Sequence, residues 1–397
     1  MTSRGSIEAA DIGAGFAPRV LHVINSLTLA GAEVLVGEMA PRLRDHGCNV
    51  TVAVLRVLDS PLERRLATAG IPVVHVARAA TYSPFHIWPL ARLMQQYDIV
   101  HVHLFPAQLW AAGARRFCKR PPILVTTEHN PDNNRRHRPL ARMIDRFVYA
   151  HYGSIICNSE ATASALREWI PSLRERLTVI PNGIAVARFS AAAAAERGEI
   201  LRDARGPVAM FVARLQPQKD HATLLRAVAE VPDLQLILVG EGELRADLEQ
   251  LARSLSIADR VHFLGHRTDI AELLKMANVY VHATHSDGFG IAALEAMAAG
   301  LPIVASNVPC LAEVISDSGI LVPPGEAQAL AAAIRRVLGD STLRSRLAAA
   351  AAARARSFDI ARTVESHLEL YERLLAARSA VTYARRRSET AAKTRGV

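Results

Sequence analysis

The sequence predicts an α/β protein of two Rossmann-like domains that face each other across a cleft. Three observations predict it. Short apolar, β-rich runs alternate with segments of helical spacing through most of the chain, the pattern of parallel strands covered on both faces. The alternation breaks once, at an alanine-rich, charged stretch without period, and then begins again. At 397 residues the chain is too long for one core and suits two of ordinary size.

Residues 1–17, MTSRGSIEAADIGAGFA, hold acids and glycines and are expected as a tail without regular structure. The lone GxG inside GAGFAP comes before the first strand, so it is no dinucleotide fingerprint. The N-terminal domain is expected over 18–186. RVLHVIN reads as its first strand, and GAEVLVGEMAPRLRDHG follows with helical spacing and stops on a glycine. NVTVAVL, IPVVHV, DIVHVHL, PILVTTE and GSIICNS continue the strands, and TVIPNGI closes the half.

The aperiodic stretch 187–205 reads as a linker. A second domain over 206–356 repeats the architecture through GPVAMFVA, LQLILVG, RVHFLG, NVYVHA, PIVAS and GILV. Residues 357–375 have the spacing of a crossover helix, expected to return to the N-terminal domain. The polar, basic stretch 376–397 is expected as a disordered tail.

Composition narrows the function classes. No apolar run approaches the ~18–20 residues of a membrane span, and the first seventeen residues lack the basic start and apolar core of a signal peptide. A cytoplasmic location is therefore expected. Cys48, Cys118, Cys157 and Cys310 form no CxxC pair, which argues against a zinc site or disulfide framework.

The net charge of +9 is uneven: residues 19–186 hold 20 Lys and Arg against 12 Asp and Glu, whereas 206–356 hold 14 against 16. A basic N-terminal half suits an anionic membrane surface, at the inner face of the cell membrane, or a phosphorylated acceptor. Nucleic acid is disfavoured, because no recognised module or basic-aromatic interleaving is present. Arginine outnumbers lysine 43 to 4, so codon bias explains the basicity equally well, and both readings stay open.

Two blocks carry the chemistry. In SDGFGIAALEAMAAGLPIVAS a strand runs into a glycine-bearing loop and then a helix. Gly288 and Gly290, flanking Phe289, let the backbone approach a ligand, and the helix start offers free amides to a diphosphate. Asp287 and Glu295 stand eight residues apart, and carboxylates accept hydrogen bonds from vicinal sugar hydroxyls. The alternative for Glu295 is a solvated helix face. In ARLQPQKDHATLL, Arg214 and Lys219 occupy the loop after a strand, as a forked and a compact cation suited to a leaving diphosphate.

Together these blocks resemble the retaining glycosyltransferases of family four, which have the GT-B fold, over about residues 20–374. The resemblance implies that Glu295 binds the ribose hydroxyls, that Asp287 contacts the donor sugar, and that Arg214 and Lys219 neutralise the diphosphate. It also implies that LTLAGAE, with Gly31, is the glycine loop near the donor phosphates. His129 in LVTTEHN would meet the donor sugar, and PNGI, with Asn182 and Gly183, would be the interdomain turn. Three positions depart from the family pattern: Asp287 for a glutamate, Ala30 for the first loop glycine, and Ala185 for an aspartate after PNGI.

Other candidates come from the residues alone. His103, near the end of its strand, could line an acceptor cleft or be a satisfied core histidine. Arg135 and Arg136 form a basic loop beyond His129 that suits an acceptor phosphate or water. No DxD triplet occurs, so no metal and no cofactor are expected, and Arg214, Lys219 and helix amides would do that electrostatic work. The expected activity is sugar transfer from a UDP- or GDP-sugar to a hydroxyl, on a saccharide or lipid-linked acceptor in envelope, capsule or exopolysaccharide synthesis. Two alternatives are a nucleotide-sugar epimerase of the same fold and an inactive nucleotide-sugar-binding protein.

Overall fold

The computed structural model describes residues 17–28, 30–132, 138–201 and 205–394, with side chains as far as 384. The first sheet has seven strands: β1 (Arg19–Ile24), β2 (Asn49–Val54), β3 (Val73–His75), β4 (Ile99–His103), β5 (Ile123–Glu128), β6 (Ser154–Cys157) and β7 (Leu177–Val179). Their order is β3-β2-β1-β4-β5-β6-β7, and all pairings are parallel. The second sheet has β8 (Val208–Val212), β9 (Gln235–Val239), β10 (Val261–Gly265), β11 (Val279–His282), β12 (Ile303–Ser306) and β13 (Gly319–Val322). It is ordered β10-β9-β8-β11-β12-β13, again all parallel.

The apolar runs form strands because helices cover both faces. β4 is buried along its whole length, as are β6, β9, β11 and β12. In the first domain one core lies on each face of the sheet. In both sheets the strand order reverses beside the first strand, between β1 and β4 and between β8 and β11. Open α/β sheets bind ligands outside the carboxyl ends of such strands.

Two expectations change. The stretch 187–205 is no free linker: it carries the short helices Val186–Ser190 and Arg197–Leu201. Phe189 and Leu201 are buried in the second domain's core, and burying such side chains is worth roughly 1.5–3 kcal/mol each. The C-terminal helix runs as one element from Ile360 to Thr394, through the stretch expected as a disordered tail. That stretch is rich in alanine and arginine and meets no glycine or proline before Gly396, so propensity favours helix.

The same helix returns to the first domain, where Ile360, Val364, Leu370 and Tyr371 join the core. The chain crosses between domains twice, and the crossings lie together. Ile184 N donates to Phe358 O at 3.0 Å and Ile360 N to Ile184 O at 2.9 Å. A Cβ at Gly183 would lie 2.7 Å from Ile360 Cα, so close packing of the two crossings demands glycine there. Among the described residues no helix is long and apolar enough to cross a membrane.

Candidate active site at the interdomain cleft

The loops after β8 and β11 leave the second sheet at its reversal point and are tied together. Thr284 Oγ1 donates to Gln218 O at 2.8 Å, and His285 N to the same carbonyl at 2.9 Å. This places Lys219 against Asp287, with which it forms an ion pair. Arg214 is exposed at the same edge, and its guanidinium makes no hydrogen bond or ion pair among the described residues. Its charge reaches the buried Glu33 of the first domain, and helps hold that carboxyl's pKa down against the larger effect of burial.

Asp287 is the centre of this loop. One oxygen takes Lys219 and His282 Nε2, the latter at 2.8 Å. The other accepts the backbone amides of Phe289 and Gly290 at 3.2 and 3.0 Å. Burial pushes its pKa up, but the His282 hydrogen bond and the Lys219 charge outweigh this and hold it well below the usual carboxylate range. The amides of Phe289 and Gly290, expected to meet a diphosphate, are therefore spent on Asp287. The first bond into the helix Ile291–Ala298 runs from Leu294 N to Gly290 O, leaving the amides of Ile291, Ala292 and Ala293 at the open end.

Gly290 has φ +88°, and a Cβ there would lie 2.4 Å from Leu311 Cδ2, so conformation and space both require glycine. Phe289 turns inward and meets Phe358 edge-on at 5.9 Å, so its ring braces the crossover and does not line the cleft. Glu295, about one turn into the helix, borders a cavity of about 30 Å³ with Gly31, Glu38, Gly183, Arg188 and Ile291. Burial pushes its carboxyl up to about 7, with Arg188 acting against the rise and Glu38 for it. Gly31 opens the helix Gly31–Asp45, and a Cβ there would sit 3.8 Å from Ile291 across the cleft.

Opposite this loop, the first domain presents the ends of β4 and β5. His129 follows β5, and its Nε2 shares a hydrogen bond with His103 Nδ1 at 3.3 Å. His103 Nε2 in turn meets His22 Nδ1 at 3.1 Å. His103 is fully buried and spends both nitrogens on neighbouring imidazoles, so it orients His129 and does not face an acceptor. Burial lowers the pKa of His129 to about 4 and of His22 to about 3, so the chain of rings is neutral near pH 7. His129 Nδ1 is buried without a partner, in the orientation left by the other nitrogen.

His22, His101 and His103 bring potential ligand atoms within 4.8 Å of one another. His101, however, bonds Tyr371 OH and Thr127 Oγ1 through its two nitrogens, each at 2.7 Å. His103 is likewise spent on His22 and His129, so within that set the one ring nitrogen without a partner among the described residues is the buried His22 Nε2.

The domains are clasped at Asn158, just after β6. Its amide donates to His129 O and to Gly288 O, both at 3.0 Å. A Cβ at Gly288 would come within 2.4 Å of His129 O. Glu313, in the helix Pro309–Ile315, accepts the amides of Glu160 and Ala161 at 2.9 and 3.2 Å. A carboxylate of one domain thus caps a helix of the other, the helix Glu160–Trp169.

The cleft thus gathers Gly31, His129, Arg214, Lys219, Asp287, Gly288, Gly290 and Glu295. Arg135 and Arg136 lie outside the described residues. Sequence reasoning missed Asn158, His282, Glu313 and Arg188. The strand NVYVHA leading straight to Asp287 was a signal for His282; Asn158 and Glu313 act across the domain boundary, and Arg188 lies in the stretch read as a linker, where it donates to Thr268 O of the second domain at 3.3 Å.

Comparison with known proteins agrees with this fold. The family described as Glycosyltransferase Family 4 matches residues 29–188, and Glycosyl transferases group 1 matches residues 193–354. D-inositol 3-phosphate glycosyltransferase of Geodermatophilus obscurus is 31% identical over 389 residues, covering 86% of this chain and 84% of that protein. The chain is a family four glycosyltransferase. Phosphatidyl-myo-inositol mannosyltransferase of Mycobacterium leprae is 29% identical over 375 residues, with 89% of this chain and 96% of that one covered. Anabaena HepE in complex with UDP-glucose shares the fold, with TM-score 0.78, 24% identity, and coverage of 89% and 99%.

In this glycosyltransferase the reversal points of both sheets open onto one cleft. The cationic side is built by the second domain and the histidine side by the first. Arg214 and the outer amides of the Ile291–Ala298 helix are the groups left open to an anion.

Proposed function

We propose that this glycosyltransferase moves the sugar of a nucleoside-diphosphate sugar, UDP- or GDP-linked, to an acceptor hydroxyl with retention of configuration. The observation that carries the reading is the pairing of Lys219 with Asp287 at a helix start, beside an exposed Arg214. Two cations and unspent amides at one edge suit a diphosphate whose negative charge grows as it leaves. That a solved protein of the same fold, Anabaena HepE, binds UDP and UDP-glucose supports a nucleotide-sugar donor.

In this reading the bond from the anomeric carbon to the diphosphate oxygen breaks, and its electron pair leaves with the diphosphate. The acceptor oxygen bonds to the anomeric carbon from the same face, and its proton passes to the departing phosphate oxygen. Arg214 and Lys219 stabilise that oxygen group most strongly in the transition state. Glu295 takes the ribose hydroxyls beside Gly31. His129 Nδ1 meets a hydroxyl of the donor sugar. Asp287, whose oxygens are already engaged, holds Lys219 and the loop in place and reaches the sugar only if an arriving hydroxyl displaces one of these partners.

The acceptor is a saccharide or lipid-linked hydroxyl of envelope glycolipid or polysaccharide synthesis, and the enzyme works in the cytoplasm at the inner face of the membrane. Names of relatives support this, among them a lipopolysaccharide core biosynthesis glycosyltransferase of Rhizobium meliloti. The test is calorimetric titration with UDP, GDP and ADP, followed by incubation of the preferred nucleotide sugar with candidate acceptors. The expected result is nucleotide binding lost on Arg214→Ala, with acceptor-dependent release of free nucleoside diphosphate. Conversion of the donor with no acceptor present would point instead to an epimerase.

A further inference from the structure

The helix Pro139–Ala150 packs inward through Asp145, Val148 and Tyr149. Its outward face carries Leu140, Met143, Ile144 and Phe147, exposed by 70, 68, 39 and 44%. Their spacing of three, four and seven residues makes one stripe along the helix. A surface helix ordinarily turns such a stripe to the core, and a contiguous exposed one marks an interaction site.

The charges on this face have one sign. Arg138, Arg142 and Arg146 are exposed beside the stripe. The helix's one acid, Asp145, is buried and accepts a hydrogen bond from Trp169 Nε1 at 3.0 Å. The helices Ile87–Met94 and Ala107–Arg115 cover the same face of the sheet and continue the pattern. Phe85, Trp88 and Phe117 are exposed by 78, 61 and 50%, with the Trp88 and Phe117 rings 4.5 Å apart. Arg116, Lys119 and Arg120 stand exposed around Phe117.

We propose that this face of the N-terminal domain docks on an anionic lipid surface. The Leu140–Phe147 stripe enters the headgroup boundary, Trp88 and Phe117 sit at the same level, and the arginines meet lipid phosphates. A second copy of the chain fits less well, because a two-fold contact would set arginines against arginines with no exposed acid on the helix to relieve them. The helix begins in the segment that follows His129, so docking brings the cleft edge of the domain toward the bilayer. The proposal rests on the glycosyl-transfer reading only for the acceptor's access from the lipid; the docking itself stands on the surface.

The test is flotation of the full chain with phosphatidylcholine vesicles, alone or mixed with phosphatidylglycerol. Three forms are compared: wild type, the double variant Met143→Asp with Phe147→Asp, and the double variant Arg142→Glu with Arg146→Glu. All four positions are exposed, and unchanged thermal melting checks that each variant folds. The wild type is expected to float only with anionic vesicles and to release in high salt. Each variant is expected to lose binding by at least about tenfold while nucleotide affinity stays unchanged.

Equal flotation of all three forms, or none by the wild type, overturns the proposal. A wild-type dimer that the apolar variant converts to monomer would also overturn it, and assign the face to self-association. Nucleotide binding is read separately, so failure of the glycosyltransferase reading and failure of the docking surface are distinguishable.

Discussion

Asn158 holds the two domains of this enzyme together at one point, donating its side-chain amide to the carbonyl of His129 and to that of Gly288. The contact joins the histidine side of the cleft to the loop that carries Asp287. Gly288 permits it, since a Cβ would lie 2.4 Å from the His129 carbonyl oxygen. Gly288→Ala is therefore expected to keep both domains folded but to bar this approach. Turnover should fall by at least about tenfold, because a misplacement near 1 Å costs that much or more. Small-angle scattering should show a wider particle. An unchanged scattering curve with full turnover would remove the clasp from the mechanism.

Lys219 and Asp287 form a second unit. Lys219→Ala should lower kcat/KM by roughly 2–4 kcal/mol of transition-state stabilisation, the usual worth of one preorganised charge contact. Asp287→Asn should impair turnover too, because a neutral oxygen holds Lys219 and His282 less firmly. Asp287→Glu should displace Lys219 by a methylene and also cost activity. The double variant Lys219→Ala with Asp287→Asn should lose less than the two single losses added, as coupled partners do. A silent Asp287→Asn would withdraw Asp287 from the site and leave Lys219, Arg214 and Glu295.

With Glu295 on the ribose hydroxyls, donor binding should depend on pH. Its carboxyl, pushed up to about 7 by burial, is largely protonated below that value and ionised above it. An ionised carboxylate accepts hydroxyl hydrogen bonds more strongly, so donor affinity should rise as pH climbs through about 7. Glu295→Gln should weaken binding and flatten that dependence in a calorimetric titration. The sign for stability is opposite. A carboxyl with a raised folded pKa binds more protons folded than unfolded, so its contribution falls as pH rises from the ordinary 4.5 towards about 7. A wild-type affinity that is flat across this range would contradict the role.

His129 should not give a pH-rate inflection near the ordinary histidine value. Burial lowers it to about 4, so it stays neutral throughout the working range. His103→Phe would leave His129 Nε2 without a partner and free the ring to turn, and turnover should fall with nucleotide affinity kept. Normal turnover in a folded His103→Phe variant would make the histidine chain structural only.

Chelation gives a further check on the leaving-group chemistry. With Arg214 and Lys219 carrying the electrostatic load, activity should persist after EDTA treatment. Complete loss, restored by added magnesium or manganese, would shift that load to a metal ion.

The alternation of buried β-branched runs with helical segments determined the two-domain α/β architecture by itself, because parallel strands covered on both faces leave that pattern in one dimension. The motif residues were legible for the same reason. Gly288, Gly290 and Glu295 lie within a few turns of each other in the chain, as do Arg214 and Lys219. The tertiary structure decided how they are used. Asp287 is consumed by Lys219, His282 and two amides, contacts made across 68 residues in the case of Lys219. His103 turned out to be a buried link between His22 and His129, joining three strands that no local period relates. The stretch 187–205 looked unstructured until Phe189 and Leu201 found a core. The clasp at Asn158 and the cap by Glu313 span 130 and 153 residues, and such contacts arise only when separately folded domains meet.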